Sequence, residues 1–272
     1  MRDTAAAAIG KGLIALSRSL GAEERGLALL GEGNTSADCG DGTFFVKASG
    51  SSLASLDEDG ISRVRLTPIL ALLEGEAIGL DAIERELLAA RVDPSHKKPS
   101  VETFFHAACL TDGGARWVAH THSTALNQIV CSRLGAQPFL RHVFPDAIVV
   151  CGKVPAVVPY LDPGFALAQA IQAELRRYRG AHGQPPKLVL LENHGSIALG
   201  QSAREALSIA LMAEKWATVL QGTYALGGPR YLPETEVDRI DGRSDEHYRR
   251  RALSHEESGA SAGRSEPAGA DG

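Results

Sequence analysis

The chain has 272 residues, with 28 lysines and arginines against 33 aspartates and glutamates and a net charge of −5. Hydrophobic residues make up 44% and charged residues 22%, the balance of a globular chain long enough to bury a core without staples. Mild acidity without a basic stripe excludes a nucleic-acid binder, and no run approaches the roughly 20 apolar residues that a membrane-spanning helix needs.

Residues 4–20, rich in alanine and leucine, predict a helix that Gly21 stops. A glycine-rich turn is expected at 31–36, a strand at 43–47 and a second polar turn at 48–52. Residues 61–66 alternate as a strand does, and Thr67-Pro68 then offers an N-cap and a first-position proline for a helix. Helical period returns at 81–92, and Ser100 is the expected N-cap of a helix over 101–110. A short strand at 117–122 leads into a helix at 123–133, and the β-branched runs 147–151 and 154–158 predict two further strands. Asp162-Pro163 caps a long helix to Arg179. Strands at 187–192 and 196–199 meet around Asn193-His194-Gly195, and Ser202-x-x-Glu205 is a capping box for a last long helix through Leu220.

Strands and helices are mixed throughout without a repeat or an internal linker, so one α/β domain over 1–255 is the economical reading. Residues 256–272 hold only glycine, alanine, serine, proline and charged residues, a composition that predicts a disordered tail. Lys11 and Arg18 flank 12–16 too closely for a signal-peptide core, and the four cysteines form no CxxC pair. Both observations point to a reducing cytoplasm.

His120-Thr121-His122 carries the first chemical signal. On a strand, side chains at i and i+2 share a face, so the two imidazoles project together with Val118 and can grip one metal ion. Taken alone, the pair equally fits two ordinary histidines. His194, at a strand end before Gly195, completes a three-nitrogen set, and three protein ligands with an open position are what a catalytic metal site requires. Glu102 falls in the first turn of its helix, either as a solvated carboxylate favoured by the helix dipole or as a general acid/base beside the metal. His106, one turn on, is a ligand candidate or a packing residue. Residues 31–36 and 47–52 offer glycine amides, hydroxyls and the Lys47 ammonium to an anion, with Ser100 as a third contact. Neither loop matches GxGxxG or GxxxxGK[ST].

In this order, GEGNTS at 31–36, VKASG at 46–50, PSVETFFH at 99–106, HTH at 120–122 and ENHG at 192–195 resemble the class II aldolase/adducin family. Within it the chain resembles fuculose-phosphate aldolases, and GNTS followed by VKxSG particularly resembles the aldolase half of bifunctional rhamnulose-phosphate aldolase/dehydrogenases. The resemblance implies a single three-layer αβα domain around a central, largely antiparallel sheet, and a homotetramer with active sites between subunits. It implies one divalent ion per subunit, zinc first and manganese or another ion as alternatives, held by His120, His122 and His194. Glu102 would be the acid/base, and Gly33, Asn34, Ser49, Gly50 and Ser100, joined by Lys47, would line the phosphate pocket.

Two departures stand out. The aldolases commonly have a second serine before the catalytic glutamate, where this chain has Val101, and a downstream tyrosine acting as a proton donor. The corresponding residues 138–142 contain none, leaving Arg141 and His142 as substitutes or as a solvated basic pair. The first reading is a metal-dependent lyase that cleaves a ketose phosphate or related sugar acid by a retro-aldol step through an enediolate. A decarboxylase or dehydratase of the same family acting on a sugar-acid or thiosugar phosphate is the close alternative. A non-catalytic adducin-like scaffold is the alternative from another class, which the three histidines and the glutamate in register disfavour.

Overall fold

A computed structural model describes residues 2–76 and 79–243, so the tail expected at 256–272 lies outside the described residues. Its elements are α1 (Arg2–Leu20), β1 (Asn34–Asp38), β2 (Thr43–Lys47), β3 (Ile61–Arg65), α2 (Leu66–Leu73), α3 (Leu80–Ala90), α4 (Thr103–Thr111) and β4 (Trp117–Thr121). They continue with α5 (Thr124–Val130), α6 (Pro145–Cys151), β5 (Ala156–Val158), α7 (Phe165–His182), β6 (Leu188–Leu191), β7 (Gly195–Gly200), α8 (Ala203–Ala225) and α9 (Glu234–Asp241).

The strands form a seven-stranded sheet in the order β3-β2-β1-β4-β7-β6-β5. Neighbours pair antiparallel except β5 with β6. Alternation along each strand feeds two cores. Val118, Val189 and Ile197 face one layer of helices, with Ile69 of α2, Leu87 of α3, Phe104 of α4 and Ile171 of α7. Ala119, Leu188, Leu190 and Ala198 face the other, with Leu20 of α1, Leu126 of α5 and Trp216 of α8. This is the expected three-layer arrangement around a largely antiparallel sheet. Among the described residues no helix is long and apolar enough to cross a membrane, and the cysteines are free thiols.

Several local expectations fail for physical reasons. The turn expected at 31–36 gives way at Asn34 to β1, an inner strand between β2 and β4. Its sequence, Asn-Thr-Ser-Ala-Asp, lacks apolar alternation because its polar side chains bond internally: Thr35 Oγ1 meets Ser17 Oγ at 2.7 Å, and Ser36 Oγ meets His106 Nδ1 at 2.7 Å.

The strand expected at 147–151 is helix α6. Phe144 enters extended, Pro145 takes the first turn, and Gly152 at φ 85° ends the helix. Its β-branched run reflects burial on two sides, Ala147 and Cys151 toward α8, Ile148 and Val149 toward α9.

Helix starts also shift. α4 begins at Thr103 instead of 101, because Ser100 closes a turn one step earlier: its Oγ accepts the Glu102 N–H at 3.2 Å and its carbonyl accepts that of Thr103 at 3.0 Å. α2 starts at Leu66 after Arg65, ahead of the expected cap at Thr67. Pro68 still falls in the first turn, where no intrahelical N–H bond is required. α7 opens after Gly164, two residues past Asp162. The helix expected over 123–133 is α5, which starts after Ser123 as its cap and ends at Val130, and Ser202 caps α8 by accepting the Glu205 N–H at 3.1 Å.

Candidate active site

The register of the sheet sets the site. Asn34 pairs with His120 across β1 and β4, and His120 pairs with Ile197 across β4 and β7. His120 is therefore fully buried in mid-sheet, and its Nδ1 donates to the Ser196 carbonyl at 3.0 Å. That bond fixes the tautomer with a bare Nε2, the form in which a histidine ligates metal. His122 Nε2 stands 2.9 Å from it. His194 joins from the turn between β6 and β7, where Asn193 takes the left-handed conformation at φ 56°. The three ring centroids lie 4.8 to 4.9 Å apart, and one ligand atom from each ring falls within 4.8 Å of the others.

Tetrahedral zinc at the usual Zn–N distance separates its nitrogens by about 3.3 Å, so small ring shifts suit this cluster to one ion. Burial, with the neighbouring imidazoles adding to it, pushes His122 and His194 down to about 4, which leaves their lone pairs free at neutral pH.

Glu102 precedes α4 and points across the cluster. Its Oε1 is 3.5 Å from His120 Nε2 and 3.9 Å from His194 Nε2, and the Asn34 amide donates to Oε2 at 3.4 Å. The side chain keeps 15% of its exposure. Burial opposes its charge, but His120, His106 and His194 outweigh that and hold the carboxyl below the usual carboxylate range.

The expected phosphate-pocket residues are brought together only in part. An Ala48–Pro99 bridge and the Ser49 N–H to the Lys98 carbonyl at 2.9 Å lay residues 47–50 beside 98–100. The N–H groups of Ser49 and Ser100 are used in that pairing, and the Ser100 oxygen also accepts the Glu102 N–H, so the side chains can offer a ligand their O–H donors. Gly50, at φ 78°, has open space where a side chain would stand. The Lys47 ammonium is turned inward: it is 4% exposed, donates to the Ser51 carbonyl at 2.6 Å, and is pulled down by burial against the opposing pull of Glu102.

Gly33 is buried, and a Cβ on it would stand 2.7 Å from the His120 carbonyl. Its visible function is to let β1 approach β4. Asn34 bonds Glu102, a partnership that only the β1 register reveals.

His106 stays out of the cluster. Fully buried, it stacks on Phe105 with centroids 4.7 Å apart and bonds Ser36; burial pushes it down to about 3. Val101 packs against the α4-side core. Arg141 lies over the Tyr231 ring at 4.5 Å. His142 stacks on Trp216 with centroids 4.5 Å apart and donates from Nε2 to the Lys153 carbonyl at 2.7 Å. Those contacts are outside the histidine cluster.

Three histidines whose ligand atoms lie within 4.8 Å of one another, with one glutamate beside them, are a donor set that could hold a metal ion. Residues 11–220 match the model of the family described as Class II Aldolase and Adducin N-terminal domain, and the chain belongs to that family, whose enzymes depend on a divalent metal. The 3-oxo-tetronate 4-phosphate decarboxylase of Pectobacterium atrosepticum is 33% identical over 222 residues, 80% of this chain and 86% of that protein. The Bacillus subtilis protein named uncharacterized oxidoreductase YuxG is 28% identical over 222 residues, 77% of this chain. The chain spans 30% of YuxG's length. The crystal structure of YgbL from Klebsiella pneumoniae superposes with a TM-score of 0.64 at 28% identity. The match covers 85% of this chain and 97% of that one. With relatives named as decarboxylases and aldolases, this chain is an enzyme rather than a scaffold.

Proposed function

We propose that this enzyme breaks a carbon–carbon bond next to the ketone of a phosphorylated sugar acid, decarboxylating a 3-oxo acid of the 3-oxo-tetronate 4-phosphate type. The observation that carries the reading is Glu102 Oε1 held 3.5 and 3.9 Å from two of three clustered imidazole nitrogens. His120, His122 and His194 are the proposed ligands, and Glu102 the proposed acid/base. A divalent ion bound there, zinc first, supplies Lewis-acid chemistry, drawing off the negative charge that develops on the ketone oxygen.

In such a substrate C1 leaves as carbon dioxide. The electron pair of the C1–C2 bond becomes a C2–C3 double bond, and the C3 oxygen takes the charge. Glu102, ionised at rest, relays to C2 a proton taken up from solvent, and dihydroxyacetone phosphate results. Asn34 holds the carboxylate by its second oxygen. The Ser49 and Ser100 hydroxyls and the Gly50 amide form the proposed phosphate contacts, and Lys47 adds positive charge from behind the loop.

Retro-aldol cleavage passes through the same enediolate and is the second reading. It also needs a group to remove the hydroxyl proton of the departing aldehyde. Arg141 and His142, the substitutes for the missing tyrosine, are engaged with Tyr231, Trp216 and Lys153, which favours decarboxylation. We propose further that the enzyme is a cytoplasmic homotetramer with a single catalytic domain over 1–255.

The test is incubation of the zinc-loaded enzyme with 3-oxo-tetronate 4-phosphate and, separately, with ketose 1-phosphates. The expected result is metal-dependent carbon dioxide and dihydroxyacetone phosphate from the first. Aldehyde release from the second alone would replace decarboxylation by retro-aldol cleavage, and no product from either would overturn both readings.

A further inference from the structure

Helix α5 begins two residues after His122, with Ser123 as its cap. From that helix the Asn127 amide Nδ2 donates to the His194 carbonyl at 3.1 Å, and at its end the Val130 carbonyl accepts the Asn193 N–H at 3.3 Å. One short helix thus ties the end of β4, which bears His120 and is followed by His122, to the turn bearing the third histidine. The turn needs the restraint, because Asn193 sits in the left-handed region that a non-glycine residue adopts at a cost.

The ring of His194 adds a second observation. Its Nε2 faces Glu102, so in the ligating tautomer Nδ1 carries the proton. That Nδ1 is buried with no hydrogen-bond partner among the described residues, and so is Asn127 Oδ1. A buried N–H and a buried amide oxygen are left over on two residues already joined by a hydrogen bond. Buried polar atoms of this kind find partners, and a metal-bound histidine routinely gives its second N–H to an acceptor of the surrounding shell.

We propose that Asn127 is the positioning residue for His194. Its Nδ2 fixes the 194 carbonyl, and its Oδ1 is the acceptor for the Nδ1 proton across one bridging water. The inference rests on the reading of His194 as a metal ligand. It adds that the geometry of the third ligand is set from α5, by a residue that touches neither the metal nor the substrate.

The test reads metal binding rather than turnover. Metal-free wild type, Asn127→Asp, Asn127→Ala and Asn127→Ser are titrated with Zn2+ against a chromophoric chelator, and the visible spectrum of the Co2+-loaded form is recorded for each. Asn127→Asp keeps the size but loses the N–H donor, whereas Asn127→Ser keeps a hydroxyl that can donate. The expected result is roughly 10–100-fold weaker Zn2+ binding in the alanine variant, which loses both contacts, and a smaller loss in the aspartate variant, which keeps the acceptor. Their Co2+ bands should change, the serine variant should recover part of the affinity, and the metal-free melting temperatures should stay near wild type. Gln128→Ala, exposed on the same helix, should match wild type throughout.

Wild-type affinity and an unchanged Co2+ spectrum in folded Asn127→Ala would overturn the proposal. Lower melting temperatures with unchanged affinity would overturn it too, by showing a merely structural role. If the aspartate variant does not fold, the alanine and serine variants decide. Wild type that binds no Zn2+ would overturn the metal reading itself, whereas normal wild-type binding with unaffected variants would overturn only the role of Asn127.

Discussion

Gly195 opens β7 beside two of the histidines, and the absence of a side chain there keeps β4 and β7 together at the site. A Cβ on this residue would stand 2.4 Å from the Thr121 carbonyl oxygen and 3.2 Å from His122 Cδ2. Real Cβ atoms keep at least 3.0 Å away, so in Gly195→Ala the two strands must part by more than half an ångström. The obstacle is backbone, which cannot rotate aside as a side chain can. Overpacking of this kind costs about 1–3 kcal/mol. At about 2–4 °C per kcal/mol for a domain of this size, the metal-free melting temperature should fall by about 2–12 °C. His122 is pushed in the same movement, so Zn2+ affinity should fall as well.

Gly222→Ala is the matched control. That glycine lies exposed on α8 with nothing within 4 Å of the added carbon. Alanine should stabilise the helix by about 0.5–1 kcal/mol. Thermal unfolding by circular dichroism and chelator competition read both quantities. Gly195→Ala melting at the wild-type temperature with wild-type Zn2+ affinity would refute the close approach of β7 to the HxH strand.

Glu102→Gln should retain Zn2+ and lose about 10²–10⁴-fold in turnover, the range for a positioned acid/base; a wild-type rate in that variant would remove Glu102 from the reaction. The buried histidines fix the pH dependence of the metal-free protein. With folded values near 4 for His122 and His194 against an ordinary 6.5, the unfolded chain takes up protons first. Their stabilisation is complete above pH 6.5 and is lost as pH falls toward 4, so melting temperature should decline across that window, and a rise on acidification would contradict the burial argument. Ser202→Ala removes the oxygen that accepts the Glu205 N–H at 3.1 Å, at a cost of about 1 kcal/mol; an unchanged melting temperature would mean that the cap is not holding α8.

Much of the site was legible because its chemistry is written in short spacings. HxH on a strand places two imidazoles on one face by backbone geometry alone, and Ser202-x-x-Glu205 marks the start of α8 by the same local logic. What could not be read is whatever depends on partners distant in sequence. Asn34 looks like a turn residue because its neighbours are polar, and only the pairing of β1 with β4 sets it against Glu102. The run 147–151 looks like a strand because it is β-branched, and packing between α8 and α9 makes it a helix. Lys47 looks like a direct phosphate ligand, yet the fold buries its ammonium, which turns to the Ser51 carbonyl behind the loop. Asn127 carries no motif at all, and its relation to His194 exists only in three dimensions.

The most direct test of a metal-dependent enediolate step is proton NMR of dihydroxyacetone phosphate in deuterated buffer, with Zn2+-loaded enzyme and a chelator-stripped control. The account predicts metal-dependent exchange of one C–H of the hydroxymethyl carbon, abolished by stripping and strongly slowed in Glu102→Gln. No exchange, with Zn2+ confirmed bound to the three histidines, would contradict it.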